Sequence, residues 1–139
     1  MSEILEKMLT KYKPTTTNDY INAYKEIIQD IALVGLWRSK FYEVAAFYGG
    51  TALRIFYGLE RFSEDLDFTL LKSDLNFDLK PYLNAIKQEL EVYGFNISIN
   101  AKVKSKDSQI LSAFLKSDTI ELLLKVGLND KNVRELKIK

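Results

Sequence analysis

Two short segments carry residues whose types and spacing could do chemistry. Gly49-Gly50-Thr51-Ala52-Leu53-Arg54 is a glycine pair leading into a helix-forming run, and Arg61-Phe62-Ser63-Glu64-Asp65-Leu66-Asp67-Phe68 follows within twenty residues. Asp65 and Asp67 alternate with Leu66 and Phe68, so an extended strand puts both carboxylates on one face and the apolar side chains on the other. Two acids on one face repel, and burying them would be costly. That face is therefore either solvated or matched by a divalent cation. Backbone N–H groups at a helix start face an anion, and glycine lets a triphosphate approach with no Cβ in the way. Magnesium held by one or two carboxylates plus substrate phosphates is the arrangement of polymerase-type sites, so the chemistry this pairing suits is nucleotidyl transfer.

The elements that must position these groups follow from periodicity. Phe41 to Tyr48 reads as a buried strand entering the glycine turn, Thr51 to Tyr57 as a short helix ended by Gly58, and Asp65 to Leu71 as the acidic strand. Upstream, Met1 to Leu9 forms a short helix, and Lys13-Pro14-Thr15-Thr16-Thr17 is a break with cap chemistry. From Asn18 to about Lys40, Tyr20, Tyr24, Ile27, Ile28, Ile31 and Val34 recur at helical spacing as a core stripe. Asp78 can cap a helix whose face is Leu79, Leu83, Ile86, Leu90 and Tyr93, with Pro81 tolerated in its first turn. Phe95 to Val103 alternates apolar and polar residues, the pattern of a strand buried on one side near a sheet edge. Gln109 to Leu115 is another strand, and the more apolar Ile120 to Leu128 a central one. This order predicts an α/β (α+β) fold, a small mixed β-sheet with helices packed on it.

The block from Ile27 through Leu70, with its glycine pair and Thr-Ala-Leu, then Arg-Phe-Ser and Asp-x-Asp, resembles the nucleotidyltransferase AbiEii/AbiGii toxin family of the DNA polymerase β-like superfamily. The resemblance continues at lower specificity to the last strand, near Lys125. It implies the polymerase β-like nucleotidyltransferase fold and a toxin component of an abortive-infection or type IV toxin–antitoxin system. It also implies a nucleoside triphosphate donor such as GTP, an RNA or tRNA acceptor, and a cognate antitoxin. On this reading Asp65 and Asp67 hold Mg2+ (or Mn2+), Gly49, Gly50 and Thr51 cradle the phosphates, and Lys125 belongs to the catalytic set. Two departures stand out. The family has a third acidic position on a later strand shortly after a lysine, and in Leu124-Lys125-Val126-Gly127 a glycine stands there. Glu121 has the right strand parity but lies six residues upstream, roughly 20 Å along an extended strand. Relatives also continue into a helical second half. Residues 1–139 are thus expected to be a single nucleotidyltransferase domain without that half, binding magnesium and nucleotide and transferring slowly or not at all.

Composition narrows the chemistry further. With 139 residues, one domain with one sizeable core is expected. A net charge of +1 supplies no strong field for nucleic acid, although a local basic patch is compatible with it. The chain has neither cysteine nor histidine, which excludes disulfides, thiolate chemistry, a Ser-His-Asp triad and an ordinary zinc site. There is no signal-peptide-like run and no long uninterrupted apolar stretch, so a cytoplasmic protein without a membrane partner is expected.

Several residues admit two readings. Lys125 either snorkels to the sheet surface or contacts phosphate and supports the metal site. Arg61 either contacts phosphate or pairs with Glu60 or Glu64 to hold its loop. Ser63 either caps the turn or touches nucleotide. The basic tail of Lys131, Arg134, Lys137 and Lys139 is most simply a solvated face. A second class of function is a domain of the same fold that has lost catalysis and acts through nucleotide binding or protein contacts.

Overall fold

Thr15 and Thr16 supply the cap chemistry that starts the longest helix. In the computed structural model, which describes residues 3–58, 65–72, 77–103, 110–117 and 120–127 (by backbone alone at 50, 51, 56 and from 100 on), α1 spans Glu3–Tyr12 and α2 spans Thr17–Arg38. Thr16 caps α2: its hydroxyl accepts from Asp19 N (3.1 Å), while Asp19 Oδ2 accepts from Thr16 N (3.2 Å), a reciprocal capping box. Hydrogen bonds donated by the Thr15 and Thr16 backbone N–H groups and by the Thr15 hydroxyl hold the Asp19 carboxyl below its usual range.

The core stripe of α2 is rotated from the one its largest residues mark. Ala23, Ile27, Ile28, Ile31, Ala32 and Leu36 are buried, whereas Tyr20 and Val34 are exposed. α4 (Lys80–Val92) crosses α2 closely at Gly35. A Cβ at Gly35 would stand 3.0 Å from both Ala85 O and Ile86 Cα. Leu83, Ile86 and Leu90 of α4 complete this layer as the periodicity predicts, and Asp78 Oδ1 accepts from Lys80 N at 3.1 Å.

The segment after α2 departs from expectation. Phe41–Glu43 is a 3-10 turn, and β1 is only Ala45–Tyr48. Phe41 leaves the strand to fill the core, 1% exposed, with its ring centroid 5.0 Å from Phe68 and 4.8 Å from Tyr82. Aromatic burial at this depth outweighs the β-propensity of the run. α3 then spans Gly49–Tyr57 with Gly58 in the left-handed conformation at its end, starting two residues before the sequence-based boundary.

β2 (Asp65–Leu70), β3 (Ile97–Val103), β4 (Ile110–Ser117) and β5 (Ile120–Gly127) join β1 in one mixed sheet of order β1-β2-β5-β4-β3. β2 and β5 run parallel and the other pairs antiparallel. β5 is central and β3 an edge, as the hydrophobic patterns require. Leu66, Phe68, Leu70 and Ile97 join the α2 and α4 side chains in one core.

Candidate nucleotide and metal site

The turn between β1 and α3 brings the two sequence motifs together. Tyr48, the last residue of β1, lies opposite Asp67 across the antiparallel ladder, and the next residue, Gly49, opens α3 with φ +90°. A Cβ at Gly49 would lie 2.8 Å from Asp67 Oδ2. Both the backbone angle and the close approach therefore demand glycine here. The Tyr48 side chain makes no capping hydrogen bond to the start of α3. The positive end of that helix faces the Asp67 carboxylate.

Asp65 and Asp67 are half-buried, whereas Leu66 (0% exposed) and Phe68 (4%) lie in the core, so the acids share the opposite face, as their alternation predicts. Their Cα atoms are about 6.6 Å apart along the strand. A phosphate at the start of α3 and the Asp67 carboxylate would be two anions in near contact, an arrangement that calls for a cation between them. Carboxylate oxygens are donors that hard ions such as magnesium or manganese prefer. Among the described residues, no three acidic, histidine or cysteine side chains converge as a ready metal cage. The donor set thus fits an ion completed by substrate oxygens better than one held by protein alone.

Strand register adds what spacing along the chain does not contain. Lys125 lies beside Asp67 on the parallel neighbour β5, Leu123 beside Asp65, and Gly127 beside the buried Thr69. The position lateral to the acids is therefore a lysine, and Gly127 sits one pair beyond them. Glu121 is two residues before Leu123, which puts its Cα about 8 Å from that of Asp65 by strand spacing. Gly50 and Thr51 stand in the first turn of α3. Arg61 and Ser63 lie outside the described residues, as does the basic tail.

A second polar cluster went unnoticed in the sequence. Glu26 of α2 accepts from Tyr12 Oη at Oε1 (2.9 Å) and pairs through Oε2 with Arg54 Nε of α3. Arg54 belongs to the glycine-turn motif, but its partner lies 28 residues upstream, beyond any local periodicity. Burial and the bond to Glu26 push the Tyr12 hydroxyl well above its usual range. One turn along α2, burial and the neighbouring Glu26 raise the Asp30 carboxyl to about 6, against the opposing pull of Arg54 and Lys11.

Because the folded state binds this proton more tightly than the unfolded chain, Asp30 favours folding at low pH, and that contribution is lost as pH rises through about 6. Asp30→Asn is therefore expected to stabilise the protein on the order of 1 kcal/mol more at about pH 7.5 than at about pH 4, after discounting for partial exposure. Paired urea titrations of wild type and variant measure the difference. An equal advantage at both pH values would mean that Asp30 titrates normally.

An apolar groove of about 390 Å³ runs between the end of α2, β1 and α3, lined by Val34, Trp37, Tyr42, Phe47, Ile55 and Phe68 among others. Phe68 reaches it from the side of β2 opposite the acids, and among the described residues no carboxylate or cation lines it. It is separate from the candidate site. Among the described residues, no helix is long and apolar enough to cross a membrane.

The mixed five-stranded sheet with helices packed on it is the polymerase β-like nucleotidyltransferase fold. Residues 31–139 match the nucleotidyl transferase AbiEii toxins of type IV toxin–antitoxin systems, and the chain belongs to that family. The fold is similar to that of a candidate nucleotidyltransferase from H. pylori, at 24% identity and TM-score 0.52 over 76% of this chain and 44% of that one. It is also similar to JHP933 from Helicobacter pylori, at 22% identity and TM-score 0.54 over 86% of this chain and 47% of that one. The chain thus spans less than half the length of these solved proteins. No curated protein sequence matches it.

Proposed function

We propose that this chain is a nucleotidyltransferase domain acting as the toxin component of a type IV toxin–antitoxin pair, transferring a nucleoside monophosphate from a triphosphate such as GTP to a hydroxyl of RNA. The observation that carries the reading is the close approach of Asp67 to Gly49, where an added Cβ would lie 2.8 Å from Oδ2, so that the start of α3 and that carboxylate share one place. Gly49, Gly50 and the N–H of Thr51 hold the phosphates and orient the α-phosphorus. Asp65 and Asp67 hold magnesium or manganese, which when bound screens phosphate charge and lowers the pKa of the attacking hydroxyl. Lys125, beside Asp67 in register, offers a cation to the same phosphates. The acceptor hydroxyl bonds to the α-phosphorus, the bond to the β-phosphate oxygen breaks, and pyrophosphate leaves. Arg61 and Ser63 are assigned to nucleotide binding. A cognate antitoxin is the expected protein partner.

One observation favours a second reading, nucleotide binding without transfer: in register beside Asp67 and Thr69, β5 carries Lys125 and Gly127 rather than an acid. Incubating the chain with α-labelled triphosphates, magnesium or manganese, and total RNA separates the two. Label joined covalently to RNA, absent with Asp67→Asn, supports transfer. Label that co-purifies with the protein but never reaches RNA supports the second reading, and no binding at all rejects both.

A further inference from the structure

α3 carries the proposed phosphate cradle on a thin footing. Of its described side chains, Ala52 alone is fully buried, Leu53 is half exposed, and Tyr57 is 82% exposed. Besides the half-buried Ile55, the helix is tied to the layer behind it by Arg54, one turn after Gly50, whose guanidinium reaches the Glu26 carboxylate. That carboxylate is itself held by the Tyr12 hydroxyl at 2.9 Å, so one acceptor joins α1, α2 and α3. Both charged side chains are largely buried, 18% and 13% exposed.

A buried ion pair adds little net stability over a well-packed apolar replacement, because desolvation offsets the attraction. Its directional bonds, however, fix one relative geometry that apolar contacts leave degenerate. We propose that Arg54 is a positioning residue: its bond to Glu26 fixes the orientation of α3, and through it the direction of the Gly49–Thr51 backbone against Asp67. Arg54 does not touch substrate in this role. The catalytic consequence rests on the function proposed above, whereas the orientation of α3 does not.

The decisive variant replaces the three bonded residues by apolar ones of similar length, Tyr12→Phe with Glu26→Met and Arg54→Met, so that neither member of the ion pair is left without the other. Three quantities are read on the full chain: melting temperature, amide hydrogen exchange of α3 against α2 and α4, and affinity for magnesium–GTP by titration calorimetry. The expected result is a folded protein whose melting temperature is near that of wild type, whose α3 amides exchange about tenfold faster while α2 and α4 keep their rates, and whose nucleotide affinity falls about tenfold.

Arg54→Lys keeps the charge but not the planar fork, and is expected to shift α3 exchange and affinity in the same direction by a smaller factor. If the triple variant does not fold, Arg54→Lys decides. Unchanged α3 exchange in the folded variant overturns the proposal, and so does faster exchange with undiminished affinity. Should the wild type itself fail to bind magnesium–GTP, the proposed function falls, and the exchange measurement alone still decides whether Arg54 orients α3.

Discussion

Gly49→Ala is expected to abolish magnesium–nucleotide binding and to destabilise the fold by about 2 kcal/mol. Two effects add. A φ of +90° lies where an L side chain is strained, at a cost on the order of 1–3 kcal/mol. The new methyl would also stand 2.8 Å from Asp67 Oδ2, so either the carboxylate or the start of α3 must move. Movement of either separates the phosphate cradle from the acid. Adding Asp67→Ala to Gly49→Ala distinguishes the two contributions. The double variant should regain the part of stability lost to the collision, keep the part due to backbone strain, and still fail to bind. Chemical denaturation and nucleotide titration of both proteins provide the test, and a Gly49→Ala protein that binds as wild type does would remove the cradle from α3.

The second large effect concerns the acids. Asp65→Asn and Asp67→Asn should each lower affinity for magnesium–GTP by about tenfold or more and suppress any transfer to RNA, because an amide oxygen is a weaker ligand for a hard cation than a carboxylate. Their effects on stability should differ. Asp67 faces the positive end of α3, an interaction worth about 0.3–1 kcal/mol, so relief of repulsion from Asp65 is partly offset when its charge is removed. Removing the Asp65 charge relieves the same repulsion without that particular offset. Thermal-shift titrations with and without magnesium–GTP read both quantities. Ligand-induced stabilisation equal to wild type in both variants would show that these carboxylates are not the ligands.

Local chemistry in the chain was sufficient for the parts that obey a short period. The alternation of Asp65 to Leu70 determines which face of β2 is acidic, because successive side chains on a strand point to opposite sides regardless of partner. The Leu83-Ile86-Leu90 stripe determines the inner face of α4 in the same way, and Thr16 with Asp19 determines where α2 begins. The glycine pair and the two acids were legible as chemistry, though not as neighbours.

Tertiary packing decided the rest. Phe41 abandons the strand that its local sequence suggests because an aromatic ring can be buried against Phe68 and Tyr82, neither of which is near it in the chain. Tyr20 and Val34 fall outside the core because packing against α4, close at Gly35, decides which face of α2 turns inward, whatever the size of the residues on it. The lateral neighbours of the acids, Lys125 and Leu123, and the offset of Gly127 to Thr69 depend on β2 pairing in parallel with β5, a register set by long-range contacts that no window of sequence contains. For the same reason the Glu26–Arg54 link has no local signature: the two charges stand on separate helices 28 residues apart, and only the packing of the helices brings them together. Periodicity specifies faces, and packing specifies which faces meet.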